Sequence, residues 1–192
     1  TCIRKVSYKD GVLEGVAQTT IDGTLNDSFS IDEYEGYLRL VTTVTPIQSG
    51  GGNGWFDDSA LTGGVEDVET NSLYILDGKL ETVGELHDIA PDESVYSARF
   101  MGDTGYFVTF KQVDPLFSVD LSDPANPQII GELKIPGFSE YLHPYGDGKL
   151  LGIGMDVDDE SVTTDGVKVS MFDISDPSDV KETDIHVLED MY

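Results

Sequence analysis

An internal repeat with a spacing near 43 residues constrains this chain more than any other feature. The unit Leu116-Phe117-Ser118-Val119-Asp120 runs into Leu121-Ser122-Asp123-Pro124 and then Ile129-Ile130-Gly131-Glu132-Leu133. An earlier copy reads Leu73-Tyr74-Ile75-Leu76-Asp77 with Val83-Gly84-Glu85-Leu86, and a later one reads Val169-Ser170-Met171-Phe172-Asp173 with Ile174-Ser175-Asp176-Pro177. Asp77 and Asp120 are 43 residues apart. Asp120 and Asp173 are 53 apart, which predicts an insertion of about 10 residues, and the polar stretch 157–166 supplies it. A glycine turn followed by an apolar strand precedes each copy, at Gly36, Gly105 and Gly148. Gly105 and Gly148 are again 43 apart, whereas Gly36 and Gly105 are 69 apart. That longer gap predicts a second insertion of about 26 residues, at 47–70.

Each unit holds four short strands, placed in the third unit near 96–100, 106–110, 116–120 and 128–133. Asp10-Gly11, Asp22-Gly23, Asp77-Gly78, Asp147-Gly148 and Asp165-Gly166 are expected to supply the positive φ of tight turns. Asp-Pro at 123–124 and 176–177 ends a strand and starts a turn. Runs such as 106–110 and 150–153 are almost continuously apolar, as in strands covered on both faces, and Gly152 and Gly154 suit places where sheets crowd together. Four strands per unit of this length match a β-propeller blade, and a sandwich has no need of such a period. The expectation is therefore an all-β chain: a β-propeller fragment of about three and a half four-stranded antiparallel blades. Residues 1–22 form a half blade resembling the last two strands of a unit. Complete blades follow at 28–86 (with insertion 47–70), 95–135 and 139–188 (with insertion 157–166). A ring normally closes with four to eight blades, so the chain reads as part of a longer protein, and its start at Thr1 reads as processed or cut. The open ends of such an arc predict self-association.

Composition narrows the partners. The chain has 37 acidic and 11 basic residues, a net charge of -26, which repels nucleic acid and anionic membrane surfaces. Its single cysteine, Cys2, excludes an internal disulfide and the usual multi-cysteine zinc sites. Neither a signal peptide nor an apolar run long enough to span a membrane is present.

The stretch Tyr96-Ser97-Ala98-Arg99-Phe100-Met101-Gly102-Asp103, then Tyr106-Phe107-Val108-Thr109-Phe110 and Asp114-Pro115-Leu116-Phe117, is specific. So is Gly131-Glu132-Leu133-Lys134-Ile135-Pro136-Gly137-Phe138-Ser139 with Tyr141-Leu142-His143-Pro144-Tyr145. Together these resemble a bacterial and archaeal family of secreted proteins with a C-terminal β-propeller domain. The resemblance spans nearly the whole chain and is strongest over 96–155. It implies a propeller and an extracellular or surface-attached location, and it carries over no catalytic residues.

Four features bear on chemistry. His143 lies between two strands, and His87 and His186 fall in other units, so a turn histidine bonded to backbone is the expectation. Asp156-Val157-Asp158-Asp159-Glu160 alternates carboxylates, but Ser161 and Val167 stand where a calcium loop needs glycine and glutamate, so a solvated loop is expected. Trp55, Phe56, Asp57 and Asp58 lie within the long insertion behind a glycine-rich run and form the candidate binding surface; anchoring of the loop is the competing reading. The repeated Ser-Asp-Pro is expected to be a turn device. No nucleophile elbow, phosphate loop or HExxH is present. The expected function is a non-catalytic extracellular module that binds a protein or glycan or acts as a scaffold, with no cofactor and no metal. The alternative is part of a polysaccharide-active or other propeller enzyme with its active site at the central axis or in further blades.

Overall fold

The computed structural model describes residues 1–45, 68–110, 114–157 and 164–188. These form fourteen strands and no helix. β1 (Cys2–Lys9) and β2 (Val12–Thr20) make a two-stranded sheet. β3 (Ile31–Tyr34), β4 (Tyr37–Val44), β5 (Thr70–Leu76) and β6 (Thr82–Ile89) make sheet I. β7 (Ser94–Met101), β8 (Thr104–Phe110), β9 (Asp114–Asp120) and β10 (Gln128–Ile135) make sheet II. β11 (Phe138–Pro144), β12 (Lys149–Val157), β13 (Thr164–Asp173) and β14 (Lys181–Leu188) make sheet III. Every sheet is an antiparallel meander in chain order, and the copies at 73–77 and 116–120 lie in different sheets.

The period-2 alternation of a strand explains how the repeat builds the core. The residue just before the repeated aspartate, Leu76, Val119 or Phe172, faces the preceding sheet, and the residue three positions earlier, Leu73 or Leu116, faces the following one. Three apolar clusters result, one in each gap between consecutive sheets. Leu80, Leu121 and Ile174, just beyond the third strand, plug the gap behind sheets I, II and III respectively. Strands buried on both faces need no polar alternation, hence the continuous apolar run of β8.

The outermost strands carry the seats for the next sheet. Gly84 lies against the Pro124 carbonyl of sheet II, and Gly131 lies 3.0 Å, at its ideal Cβ position, from the Pro177 carbonyl of sheet III. Ser118 Oγ donates to that same Pro177 carbonyl. The Ser-Asp-Pro turn is therefore both a turn and a docking peg, and the glycine two residues ahead of Leu86 or Leu133 is its socket.

Two expectations about glycine are corrected. Gly78 does not take positive φ; in that longer turn Leu80 does, at 64°, because its side chain must swing into the core. Gly152 and Gly154 crowd within sheet III rather than between sheets. A bulge between Ser139 and Tyr141 brings β11 onto them, so an added Cβ would strike Ser139 and the Phe138 carbonyl.

The repeated aspartates cap their own turns. Asp77, Asp120 and Asp173 each accept a hydrogen bond from the backbone N–H two residues on, at 2.8, 2.9 and 3.0 Å. These bonds favour the carboxylate. Asp77 and Asp120 lie below the ordinary range chiefly through the Glu81 and Ser122 amides. Asp173 falls to about 2, through the Ser175 hydroxyl first and its amide second. Their stabilisation is complete above the ordinary carboxylate range and is lost as pH falls through the lowered folded values. General acidification has the opposite sign in so acidic a chain, because it relieves self-repulsion. The comparison must therefore be with a variant. Asp120→Asn/Asp173→Asn keeps an acceptor and removes the titration, and its melting temperature should fall less than wild type between about pH 5 and about pH 2. Parallel pH profiles would show that these caps carry no acid lability.

Candidate functional site

Neighbouring sheets approach each other most closely through their first strands, β7 against β4 and β5 and β11 against β7 and β8. The residues there define the side on which the sheets converge. At one register level the first strands carry Asp32, Arg99 and His143, opposite Arg39, Tyr106 and Leu151.

The first of these levels is an ion-pair latch. Arg39 grips Asp32 with two parallel bonds, Nε to Oδ1 at 2.7 Å and Nη2 to Oδ2 at 2.8 Å. Its Nη1 donates to the Gly102 carbonyl in the β7–β8 turn of the next sheet. The guanidinium also lies between the rings of Tyr34 and Phe100, 4.7 and 5.1 Å from their centroids. The side chain is 3% exposed, and its bonds to Asp32 and to the Gly102 carbonyl make this arginine a link between two sheets.

Arg99 is different. Its guanidinium stacks on Phe29 at 3.9 Å, with Tyr141 at 5.3 Å, and Nε donates to the Leu142 carbonyl of sheet III at 2.8 Å. Phe29 is positioned by Asp27, whose carboxylate accepts from the Phe29 and Ser30 amides at 2.8 and 3.0 Å. The Tyr141 hydroxyl bonds His143 Nδ1 at 2.9 Å. This corrects the expectation of a turn histidine bonded to backbone: His143 lies within β11 and its described partner is a side chain. Next to this group, Asn26 donates to the Tyr96 carbonyl, and the rings of Tyr96, Phe110 and Phe138 pack within 5.4 Å of one another. The result is a ribbon of aromatic and cationic groups drawn from sheets II and III and from the loop before β3, with Phe29 exposed along it.

The other expected residues do not join it. Trp55, Phe56, Asp57 and Asp58 lie outside the described residues. The base of their insertion is ordered: Val44 pairs with Thr70, and Thr45 Oγ1 donates to Glu69 at 2.9 Å. His87 bonds Ser72 at 3.0 Å on sheet I, and His186 is exposed on β14, so the three histidines stand in separate places. Asp156 lies one residue before the end of β12, while 158–160 fall outside the described residues. Among the described residues no group of three or more histidine, cysteine or acidic side chains is arranged to hold a metal ion. The shifted tyrosines, Tyr74 and Tyr106, are raised by burial in the core.

The beta propeller domain family matches the chain over residues 1–192. The chain belongs to that family. As a propeller, its relatives include an uncharacterized protein of Archaeoglobus fulgidus, 42% identical over 180 residues that cover 94% of this chain and 24% of the relative. Another, from Methanocaldococcus jannaschii, is also uncharacterized and is 43% identical over 168 residues, covering 88% of this chain and 24% of the relative. The propeller described here thus spans about a quarter of the length of these archaeal proteins. Its sheets I, II and III are four-stranded blades, and β1–β2 is a two-stranded partial one.

Arg99 and Phe29 escaped the sequence reading because they are 70 residues apart and meet only across a blade boundary. A signal was available. The chain holds only three arginines, and two of them fall on strands that the repeat predicts to be buried between blades. A charge in such a place needs partners from a neighbouring blade.

Proposed function

We propose that this propeller is a non-catalytic binding or scaffolding module that works outside the cell on a protein or glycan ligand. The observation that carries the reading is the Phe29–Arg99–Tyr141–His143 ribbon. Ring faces and a stacked guanidinium give contact area with little flexibility to lose, which is what recognition of a sugar face or a peptide demands. The perturbed carboxylates support the same reading. They recur at one turn position blade after blade and are satisfied there, whereas acid–base chemistry needs unequal groups converging on one cleft. A net charge of -26 turns nucleic acid and anionic membranes away. The extracellular setting rests on the resemblance to secreted proteins. The insertion bearing Trp55 and Phe56 offers a second contact surface.

A panel of neutral oligosaccharides and of extracellular-protein peptides, immobilised and probed with the full chain, tests this. Wild type should bind members of the panel. Tyr141→Ala and Phe29→Ala should weaken that binding about tenfold, as expected for loss of one stacking contact worth about 1.4 kcal/mol. Trp55→Ala/Phe56→Ala shows which surface dominates. Turnover of a panel sugar, or binding unchanged in all these variants, would defeat the proposal.

A further inference from the structure

Four arginines and lysines are partly or wholly buried among the described residues: Arg39, Arg99, Lys149 and Lys168. Arg39 pairs with Asp32, Lys149 with Asp173 and Lys168 with Glu182. Arg99 pairs with no carboxylate among the described residues, in a chain whose acids outnumber its bases 37 to 11. A swap across one strand pair accounts for this. In blade I the first strand carries Asp32 opposite Arg39 on the second. In blade II the first strand carries Arg99, and opposite it stands Tyr106, 2% exposed and without a negative charge to offer. Asp27, close to Phe29, is already spent: its Oδ1 accepts from the Phe29 and Ser30 amides and from the Ser30 hydroxyl.

The Arg99 cradle is otherwise built as that of Arg39 is. Each guanidinium has two rings against it and gives one hydrogen bond to a carbonyl of the following blade, Gly102 for Arg39 and Leu142 for Arg99. The remaining N–H groups of Arg39 hold a carboxylate. Those of Arg99, on Nη1 and Nη2, have no acceptor among the described residues, and Nη2 is buried in that state. A buried charged donor without an acceptor costs free energy, which an incoming anion would recover. Tyr141 is held in β11, whereas Phe29 stands on the loop before β3 and is 39% exposed, so Phe29 is the wall that can give way to admit it. Beside the guanidinium lie groups suited to hydroxyls. The Tyr141 hydroxyl bonds His143 Nδ1, and Nε2 of that exposed histidine is unbonded among the described residues.

We infer that Arg99 binds the carboxylate of a uronic acid within a glycan, with Phe29 against a face of the sugar and the Tyr141–His143 pair on its hydroxyls. The inference rests on the reading of this ribbon as a binding surface and narrows it. A uronate places a carboxylate beside an apolar ring face and neighbouring hydroxyls, which matches all three kinds of group present. An acidic peptide side chain would engage the cation and leave the hydroxyl partners idle. The net charge of -26 does not oppose this at contact: at physiological salt its repulsion is screened over about 8 Å, while the guanidinium meets the ligand at bonding distance.

Calorimetric titration of the full chain with galacturonate and glucuronate oligomers, and with their methyl esters, tests this. Acid and ester differ at the carboxyl group, charged in one and neutral in the other. A chelator in the buffer keeps divalent cations from bridging the acid to protein carboxylates. One of the acids should bind about tenfold or more tightly than its ester, the scale of a hydrogen bond to a charged group. Arg99→Met should abolish that preference and keep the ester's affinity, and Arg99→Lys should retain part of it. Where Arg99→Met loses its melting transition, Arg99→Gln replaces it. Equal binding of acid and ester would overturn the inference and leave the ribbon to neutral ligands. A preference that survives in the Arg99→Met chain would remove Arg99 from the site. Tighter binding of hexaglutamate than of either acid would overturn the glycan assignment. Silence towards acids and esters alike, with binding of a neutral panel member, would sink this inference alone; silence towards the whole panel would sink the reading on which it rests.

Discussion

Arg39→Met should lower the melting temperature by about 6–12 °C. Removing one partner from a buried ion pair costs about 3–5 kcal/mol, and the lower end applies because Asp32 is 30% exposed and water screens part of its charge. For a domain of this size each kcal/mol moves the midpoint by about 2–4 °C. The loss has three parts. Asp32 keeps its charge without the bidentate partner, the Gly102 carbonyl loses its donor, and the rings of Tyr34 and Phe100 lose the cation between them. Arg39→Lys should recover little, since an ammonium cannot form the two parallel bonds while also stacking between rings. Arg39→Met/Asp32→Leu should recover more than Arg39→Lys, because it removes the stranded carboxylate as well. Differential scanning calorimetry decides it. A shift under about 2 °C for Arg39→Met would mean that blades I and II are held together by their apolar cluster alone. A second buried pair ties blade III to the connector that follows blade II: Lys168, 5% exposed, pairs with Glu182 at 3.1 Å and donates to the Pro136 carbonyl at 2.6 Å.

The contrast between what the sequence disclosed and what it hid follows from the range of the interactions. The repeat was legible because strand alternation and turn chemistry are local. Leu73-Tyr74-Ile75-Leu76-Asp77 and its copies say which residue faces which neighbour, and the structure places them so. The glycine conformations were less legible. Gly78 and Leu80 exchange the expected positive φ because a distant core claims the Leu80 side chain. The arginines on buried strands were a signal, but their partners were not legible, since Arg99 meets Phe29, Tyr141 and Leu142 only after three blades have stacked. The socket role of Gly84 and Gly131 lay between these cases. Their recurrence was plain in the sequence, but the reason for it, a carbonyl from the following blade, is a tertiary fact.

That socket yields the second large effect. Gly84→Ala should cost about 2–3 kcal/mol, near the upper end for overpacking a well-filled site. The new methyl group would lie far inside van der Waals contact with the Pro124 carbonyl oxygen, with Pro127 Cδ at 3.1 Å. The carbonyl is backbone and the proline ring is closed onto the backbone, so neither can yield as a flexible side chain does. Asp123 fixes the turn that carries them by accepting the Ala125 amide at 3.1 Å, while its carbonyl accepts the Asn126 amide at 2.9 Å. Relief therefore requires blades I and II to separate, thinning the contacts of Leu121 with Val41 and Ile75 in their shared core. Gly131→Ala should cost less, because its nearest neighbour is the Ser118 hydroxyl, which can rotate away, and the Pro177 carbonyl stands farther off. Asp184→Gly should be close to neutral, since that residue is exposed and no turn presses on it among the described residues. Urea unfolding of the three variants orders them. Gly84→Ala should have the lowest midpoint at an unchanged slope, and an ordering with Asp184→Gly lowest would refute the socket, because the outermost strands would then be tuned by strand propensity rather than by the turn that docks on them.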